Sequence, residues 1–153
     1  MSQPAVPVVV ALHTAKGRRL PMQAKAAVEV EAGAGIVGDR YHGSKHRHVT
    51  VQSASALAEA EGALQRPIPP DLTRRNITIS SGAVPTTPGV RLRVGETLLE
   101  VVRVAAPCRL LDDELGPGAM EALRRRAGTV FRVLEGGRIA VGDGVEVVSE
   151  TGG

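Results

Sequence analysis

Apolar and polar residues alternate over short stretches along most of the chain, and this pattern predicts strands. Val-rich runs at 4–12 and 24–31 begin the series, each bounded by Gly, Pro or basic residues that favour turns. The run at 97–105 is almost continuously apolar, as expected for a strand that is covered on both faces or lines a barrel. Further short strands are predicted at 48–52, 74–80 and 129–134.

Two short helices interrupt the predicted strands. Ser53 can cap the first, which is expected to run through Ala60 with Gly62 as its stop. The second is predicted at 117–126, because proline suits a first helical turn, basic residues occupy the last turn and Gly128 lies just beyond. We therefore expect helices that decorate a β structure.

Two segments of the C-terminal half resemble each other. Arg91-Leu-Arg-Val-Gly-Glu-Thr-Leu and Arg138-Ile-Ala-Val-Gly-Asp-Gly-Val each run from a strand into a turn of Gly plus an acidic residue. Such turns favour a tight connection between neighbouring antiparallel strands. Each segment is therefore predicted to form a β-hairpin, although two copies are too few for a repeat protein.

Together these elements predict a mainly β fold, a closed or partly open β-barrel with two or so short helices. The 153 residues suffice for one hydrophobic core and are too few for two ordinary domains. We expect a single domain over 1–153, with loose tails at 1–4 and 151–153.

Composition narrows the possible partners. Tyr41 and Phe131 are the only aromatic residues and the formal net charge is +3, so the chain has little with which to stack on bases and nucleic acid is not expected as a partner. Gly, Pro or a charge interrupts every apolar run, and no membrane span is predicted. With one cysteine and no basic leader at its start, the protein is expected in the cytoplasm.

A glycine motif near residue 35 invites a dinucleotide-binding interpretation that we reject. Gly33-Ala-Gly-Ile-Val-Gly38 matches G-x-G-x-x-G, but that motif binds a pyrophosphate only where a helix starts within the glycines. The following Asp39-Arg-Tyr-His-Gly43 has no helical periodicity. The match is interpreted as a loop.

Several short motifs follow one another along almost the whole chain, and their order and spacing around Pro107-Cys108 are more specific than any one of them. They are Gly35-Ile-Val-Gly-Asp-Arg-Tyr41, Arg74-Arg-Asn-Ile-Thr-Ile79, Arg91-Leu-Arg-Val-Gly95, Pro107-Cys108, Gly128, Val133-Leu-Glu-Gly-Gly-Arg-Ile139 and Val141-Gly-Asp143. In this order they resemble the molybdenum-cofactor-sulfurase C-terminal (MOSC) domain, especially its short bacterial stand-alone members. The resemblance implies a β-rich barrel, a link to the molybdenum cofactor, and a cysteine that carries sulfur or ligates molybdenum. Pyridoxal phosphate is not supported by the sequence.

Cys108 is the candidate catalytic residue and metal ligand. It follows Pro107 at the predicted end of a strand, where proline restricts the backbone that presents the thiol. A thiolate is both a nucleophile and a soft ligand, so a persulfide carrier and a molybdenum ligand are both chemically sound. The structural alternative is a buried cysteine that packs like a small apolar residue.

Five residues are candidates for cofactor binding. Arg75 and Asn76 suit a phosphate and a pterin edge, although an asparagine at a strand start also caps turns. Asp39 and Arg40 follow a loop that could close over an anion, or they form an internal ion pair that fixes the loop. Arg109 lies beside the cysteine, where its charge favours a thiolate.

The three histidines at 42, 46 and 48 carry a weaker signal. With Cys108 they could form a zinc site, but their spacing supports this poorly. We interpret His42, His46 and His48 as solvent-facing residues, or at most as anion contacts. Arg126 ends the second predicted helix, where a cation stabilises the dipole, and it could also face a pocket.

The function predicted from sequence is therefore a molybdenum-cofactor-binding or sulfur-carrier domain that depends on Cys108. Its expected partners are the pterin cofactor or a sulfur donor, with a separate redox-partner protein if it is an oxidoreductase. The alternatives are a small barrel that binds nucleic acid and a barrel that binds a protein partner without catalysis.

Overall fold

The computed structural model describes residues 6–17, 19–70, 72–106, 117–123 and 126–148. The predicted tails at 1–4 and 151–153 lie outside these ranges. The strands within them are β1 (Val9–Thr14), β2 (Gln23–Lys25), β3 (Ala27–Glu31), β4 (Gly35–Ile36), β5 (Val49–Ser53), β6 (Ile77–Ile79), β7 (Arg91–Val94), β8 (Thr97–Val104), β9 (Thr129–Glu135), β10 (Gly137–Ala140) and β11 (Val145–Val148). The helices within them are α1 (Ala54–Leu64) and α2 (Ala119–Leu123).

The strands form a large sheet and a small one. The large sheet has eight strands in the order β11-β7-β8-β9-β5-β6-β1-β2, and the small sheet has the order β10-β3-β4. In the large sheet β5 and β6 are parallel, and α1 lies in the long connection that a parallel pair requires. The mainly β fold predicted from the sequence is confirmed.

The large sheet curls until the N-terminal ends of β11 and β1 approach each other. Val8, just before β1, forms a bridge with Gly144, just before β11. Two further bonds join these ends, from the Val9 amide to the Asp143 carbonyl (2.9 Å) and from the Val145 amide to the Pro7 carbonyl (2.9 Å). Because no full ladder of described residues joins β11 to β1, the barrel is partly open.

The core lies between the two sheets and is built from aliphatic side chains. Inward-facing residues of both sheets contribute, such as Val30 and Ile139 from the small sheet and Leu92 and Leu99 from the large one. Phe131 on β9 is fully buried among them. Burial alternates regularly in β3 and β7, whereas β5 is buried throughout, so alternation accounts for only some of the predicted strands.

The first helix follows the predicted cap but continues beyond its predicted end. The Ser53 hydroxyl accepts a hydrogen bond from the Ser55 amide at 3.2 Å, which confirms the N-cap. Gly62 does not stop the helix, because Gln65 instead takes the left-handed conformation (φ 58°) and closes the last turn on the Glu61 carbonyl. The extra turn packs Leu64 against a second apolar cluster, whose buried members are Leu57, Ala60, Ile68, Ala119, Ala122, Leu123 and Ala127.

The two similar segments, which begin at Arg91 and Arg138, pair differently in the structure. β7 and β8 form the predicted hairpin, but β10 pairs with β3 and β11 pairs with β7, so the second predicted hairpin is wrong. The turn after β10 is tied to β1 by a bond from the Gly142 amide to the Val9 carbonyl (2.7 Å). That contact separates the two strands into different sheets.

The glycine motif at 33–38 forms turns and the two-residue strand β4, and no helix starts there. Gly35 has φ +115°, and a Cβ on it would lie 2.9 Å from the His48 carbonyl oxygen. The motif therefore serves close packing of a loop. Neither helix in the described ranges is long and apolar enough to cross a membrane.

Candidate functional site

A cavity of about 590 Å³ opens at the N-terminal end of α1. Four separate parts of the chain form its walls: the start of α1, the loop at 82–86, the end of β8 and the residues that lead into β9. We call it the α1 cavity. Its lining residues are Ser53, Ser55, Ala56, Glu59, Gly82, Ala83, Val84, Thr86, Val104, Arg126, Gly128 and Thr129.

The electrostatics of the α1 cavity suit an anion. The first amides of a helix have no intrahelical acceptor, and the helix dipole adds partial positive charge at the same end. Ser53 satisfies one of these amides, that of Ser55. Arg126 adds a full positive charge to the wall, while Glu59 opposes it farther along α1.

Thr129 provides an unpartnered polar atom at the cavity wall. Its side chain is fully buried, and its Oγ1 has no hydrogen-bond partner among the described residues. The strand partner of Thr129 is Val51. The next residue, Gln52, also has an Oε1 without a partner among the described residues, although its Nε2 donates to Thr78 Oγ1 at 2.9 Å. Buried polar atoms nearly always have partners, so an unpartnered hydroxyl beside a cavity wall is unusual.

Gly128 lets the backbones beneath the cavity approach closely. Its φ is +96°, and a Cβ would lie 2.2 Å from the Val51 carbonyl oxygen, so no other residue fits without a backbone shift. Its own carbonyl accepts a bond from the Ala105 amide at 2.9 Å. The end of β8 is thereby joined to the start of β9.

Arg75 donates hydrogen bonds to both backbone segments that the Ala105–Gly128 bond joins. Its side chain is buried, with Nε donating to the Ala127 carbonyl at 2.7 Å and Nη2 donating to the Ala106 carbonyl at 2.6 Å. It is not among the residues that line the α1 cavity. Pro107 and Cys108 follow directly after Ala106 in the sequence; Cys108 and Arg109 lie outside the described residues.

Arg74 and Arg75 do not begin a strand, as the sequence pattern had predicted. Arg74 takes a left-handed conformation (φ 63°), and the strand starts only at Ile77. Arg74 is buried and turns the other way, with Nη1 donating to the Leu20 carbonyl at 2.9 Å. The two neighbouring arginines therefore brace different parts of the fold.

Asn76 joins three strands. Its Oδ1 accepts from the Thr50 amide at 3.0 Å, its Nδ2 donates to the His13 carbonyl at 3.1 Å, and its own amide donates to Thr50 Oγ1 at 3.0 Å. Both ends of the side-chain amide are thus engaged inside the barrel. These contacts favour a structural role over direct contact with a ligand.

Asp39 and Arg40 form a buried ion pair, at 3.1 Å between Oδ1 and Nη1. Asp39 also accepts from the Ala15 amide at 3.1 Å, and Arg40 donates to the Arg74 carbonyl at 3.1 Å. Each group faces other parts of the protein, which favours the ion-pair alternative. Beside them, Tyr41 lies between the guanidinium groups of Arg40 and Arg47, 4.6 and 4.3 Å from its ring centre.

The histidines do not gather around a metal. His48 is buried, so its assignment as a solvent-facing residue is wrong. Its Nδ1 accepts from the Val133 amide at 3.0 Å, and its Nε2 lies 2.8 Å from the Ser44 carbonyl. His42 pairs with Glu31, and His46 is exposed. Within the described part of the chain, no group of three or more His, Cys, Asp or Glu could hold a metal ion.

Because an amide only donates and a carbonyl only accepts, His48 is the neutral tautomer with its proton on Nε2. Burial lowers the pKa of His48 below its ordinary value of 6.5, and the positive field of Arg132, His46 and His42 lowers it further, while the bond to the Ser44 carbonyl opposes the shift. The imidazole thus fastens the 44–48 segment to β9.

Sequence reasoning did not single out Thr129. A threonine at a strand start is common, and only the folded structure shows that its hydroxyl has no partner among the described residues and that Thr129 borders a cavity. Ser53 was recognised as a cap, but the cavity around it was not. Arg126 does line this cavity, as the alternative interpretation of that residue allowed.

Three features together define the class of protein. They are the order of the motifs, the partly open barrel and the cavity beside the strand that leads to Pro107-Cys108. The MOSC domain model matches residues 38–146, and the chain belongs to that family. No curated protein matches the chain in sequence.

Solved structures confirm the fold. The YuaD protein of Bacillus subtilis is similar over 96% of this chain and 98% of its own, with a TM-score of 0.78 and 18% identity. YiiM of Geobacillus stearothermophilus is similar over 94% of this chain and 75% of its own, with a TM-score of 0.74 and 18% identity. YiiM of Escherichia coli gives a TM-score of 0.69 at 17% identity, over 95% of this chain and 71% of that protein.

Proposed function

We propose that the chain binds a molybdenum cofactor, with the phosphate-bearing pterin in the α1 cavity and Cys108 as a ligand to the metal. The observation that carries this proposal is the unpartnered Oγ1 of Thr129 in a cavity formed by a helix N-terminus and Arg126. MOSC domains are linked to this cofactor. The donor set suits its anionic part, since helix amides, a hydroxyl and a guanidinium all donate to phosphate.

Each residue has a distinct role in this proposal. The amides at the start of α1 and the Arg126 guanidinium bind the phosphate, and the Thr129 hydroxyl donates to an acceptor of the cofactor. The Cys108 thiolate binds the metal, which suits a soft ligand. Asn76, Asp39 and Arg40 act indirectly, by fixing strands and a loop, and Arg109 favours the thiolate by its charge.

The bound metal would supply a two-electron redox centre, so an oxidoreductase of this kind requires a separate electron donor. The chain's own residues bind and orient the cofactor. Nucleic acid is a poorer candidate, because Phe131 is fully buried and Tyr41 is flanked by two arginines. Neither aromatic ring is presented as a platform for stacking on bases.

The decisive variant is Thr129→Val, which removes one hydroxyl without changing the shape of the side chain. Loss of a hydrogen bond to a charged group weakens binding by about tenfold or more. We expect molybdenum and pterin contents, measured on protein expressed with cofactor supply, to fall accordingly. Because Oγ1 has no partner in the described part of the chain, the stability of the variant should change little.

Thr97→Val is the matched control. Thr97 is also fully buried, but its Oγ1 donates to the Val94 carbonyl at 2.8 Å, away from the cavity. It should lose stability and keep its cofactor. Wild type with neither molybdenum nor pterin would contradict the proposal, and an added sulfur atom on Cys108 would then establish the persulfide alternative.

A further inference from the structure

Arg75 occupies an unusual position between two chain segments. One guanidinium donates to the carbonyls of Ala106 and Ala127, which are 21 residues apart in sequence. The adjoining bond from the Ala105 amide to the Gly128 carbonyl lies at the same place. Among the described residues, three hydrogen bonds therefore join the chain at 105–106 to the chain at 127–128, at the base of the intervening segment, and two of them come from one buried side chain.

Both ends of this base lead directly to the proposed cofactor site. Val104, two residues before Ala106, lines the α1 cavity, and so do Arg126 and Gly128 on either side of Ala127. Cys108 is two residues beyond Ala106, a reach of at most about 7 Å along the chain. A shift of either carbonyl would move a cavity wall, and a shift of Ala106 would also move the attachment point of Cys108.

We propose that Arg75 is a positioning residue, which sets the spacing of the α1 cavity walls and the place from which Cys108 is presented. The proposal rests on the proposed function for its consequence, but its geometry rests on the two carbonyl bonds described above. It replaces the direct phosphate contact expected from the sequence. Arginine suits the task because its planar fork donates in two fixed directions at once, which lysine cannot do.

The chain provides a matched control in the adjacent residue. Arg74 is also buried and donates to two carbonyls, those of Leu20 and Gly17, but these lie in the loop after β1. Arg74→Met and Arg75→Met therefore remove the same kind of group at neighbouring positions. Both variants should lose stability, because each removes a buried guanidinium together with its hydrogen bonds to backbone carbonyls.

The readout that separates the two roles is native-state cleavage by trypsin after Arg126, next to the Ala127 carbonyl that Arg75 holds. We expect Arg75→Met to speed this cleavage by about tenfold or more relative to Arg74→Met under conditions where both are folded, because loss of the Arg75 bonds lets the backbone at Ala127 open locally. Arg75→Gln, which retains one amide donor, should be intermediate. It also serves if Arg75→Met does not fold.

Cofactor content measured on the same proteins distinguishes two kinds of failure. If Arg74→Met and Arg75→Met are cleaved at equal rates after correction for the unfolded fraction, Arg75 is not a positioning residue. If Arg75→Met alone is cleaved faster but wild type holds neither molybdenum nor pterin, the positioning role stands and the cofactor proposal fails. Faster cleavage together with a selective loss of cofactor supports both.

Discussion

At the scale of single residues, His48 shows how a polar side chain can be held inside a barrel without a charge. Its two ring nitrogens join the Ser44 carbonyl to the Val133 amide. Protonation of Nδ1 would replace that second bond with a clash of two donors. The spacing of the histidines in the sequence gave no hint of this, because burial of His48 depends on β9, more than eighty residues away.

Stability should therefore depend on pH through His48. Its pKa is lowered on folding, chiefly by burial, so the unfolded chain binds a proton more readily than the folded one. The contribution is fully present above about pH 6.5, the unfolded value, and is lost as the pH falls towards the lower folded value. Urea unfolding at pH 7.5 and pH 5 should show this loss in wild type and in His46→Gln, an exposed neighbour. If His48→Gln retains the whole pH dependence, the assignment is wrong.

Gly128 offers a second test at this scale, with Gly142 as its control. Both have a positive φ, +96° and +99°, but a Cβ on Gly142 would meet nothing within 4 Å, whereas one on Gly128 would meet the Val51 carbonyl. Gly142→Ala should cost only the backbone strain, about 1–2 kcal/mol. Gly128→Ala should cost at least about 4 kcal/mol, since the backbone must move. Equal losses in chemical denaturation would contradict the close approach of β5 and β9.

At the scale of elements, the start of α1 combines a structural cap with the proposed anion site. Ser53→Ala removes the acceptor for the Ser55 amide and should cost about 1 kcal/mol of stability. Ser55→Ala, two residues later, removes a hydroxyl that does not cap the helix and should be nearly neutral. A thermal unfolding series of the two variants checks this, and equal shifts would rule out the cap.

Elements with local causes were predictable from the sequence. The cap at Ser53, the hairpin at Gly95 and the alternating strands all depend on neighbours in the chain. The prediction of a second hairpin was wrong because the Gly142 amide bonds to β1 and β10 pairs with β3. These partners are distant in sequence, so a local pattern does not indicate them. Likewise Gly62 did not end α1, because burial of Leu64 favours another turn.

At the scale of the whole molecule, the candidate site exists only where distant segments meet. The start of α1, the 82–86 loop, the end of β8 and residues 126–129 are well separated in sequence and form one cavity. The ordered motifs predicted the family and the fold, but not which polar groups lie beside the cavity. Arg75 and Asn76 instead brace the frame around it.

The central claim is that this frame holds a molybdenum cofactor against Cys108. Mass spectrometry of the intact chain, expressed with cofactor supply, tests it most directly. Under native conditions wild type should carry the mass of a molybdenum-bearing pterin, which denaturation releases and which Cys108→Ser retains poorly or without metal. A wild-type chain that shows only its polypeptide mass under native conditions would contradict the account.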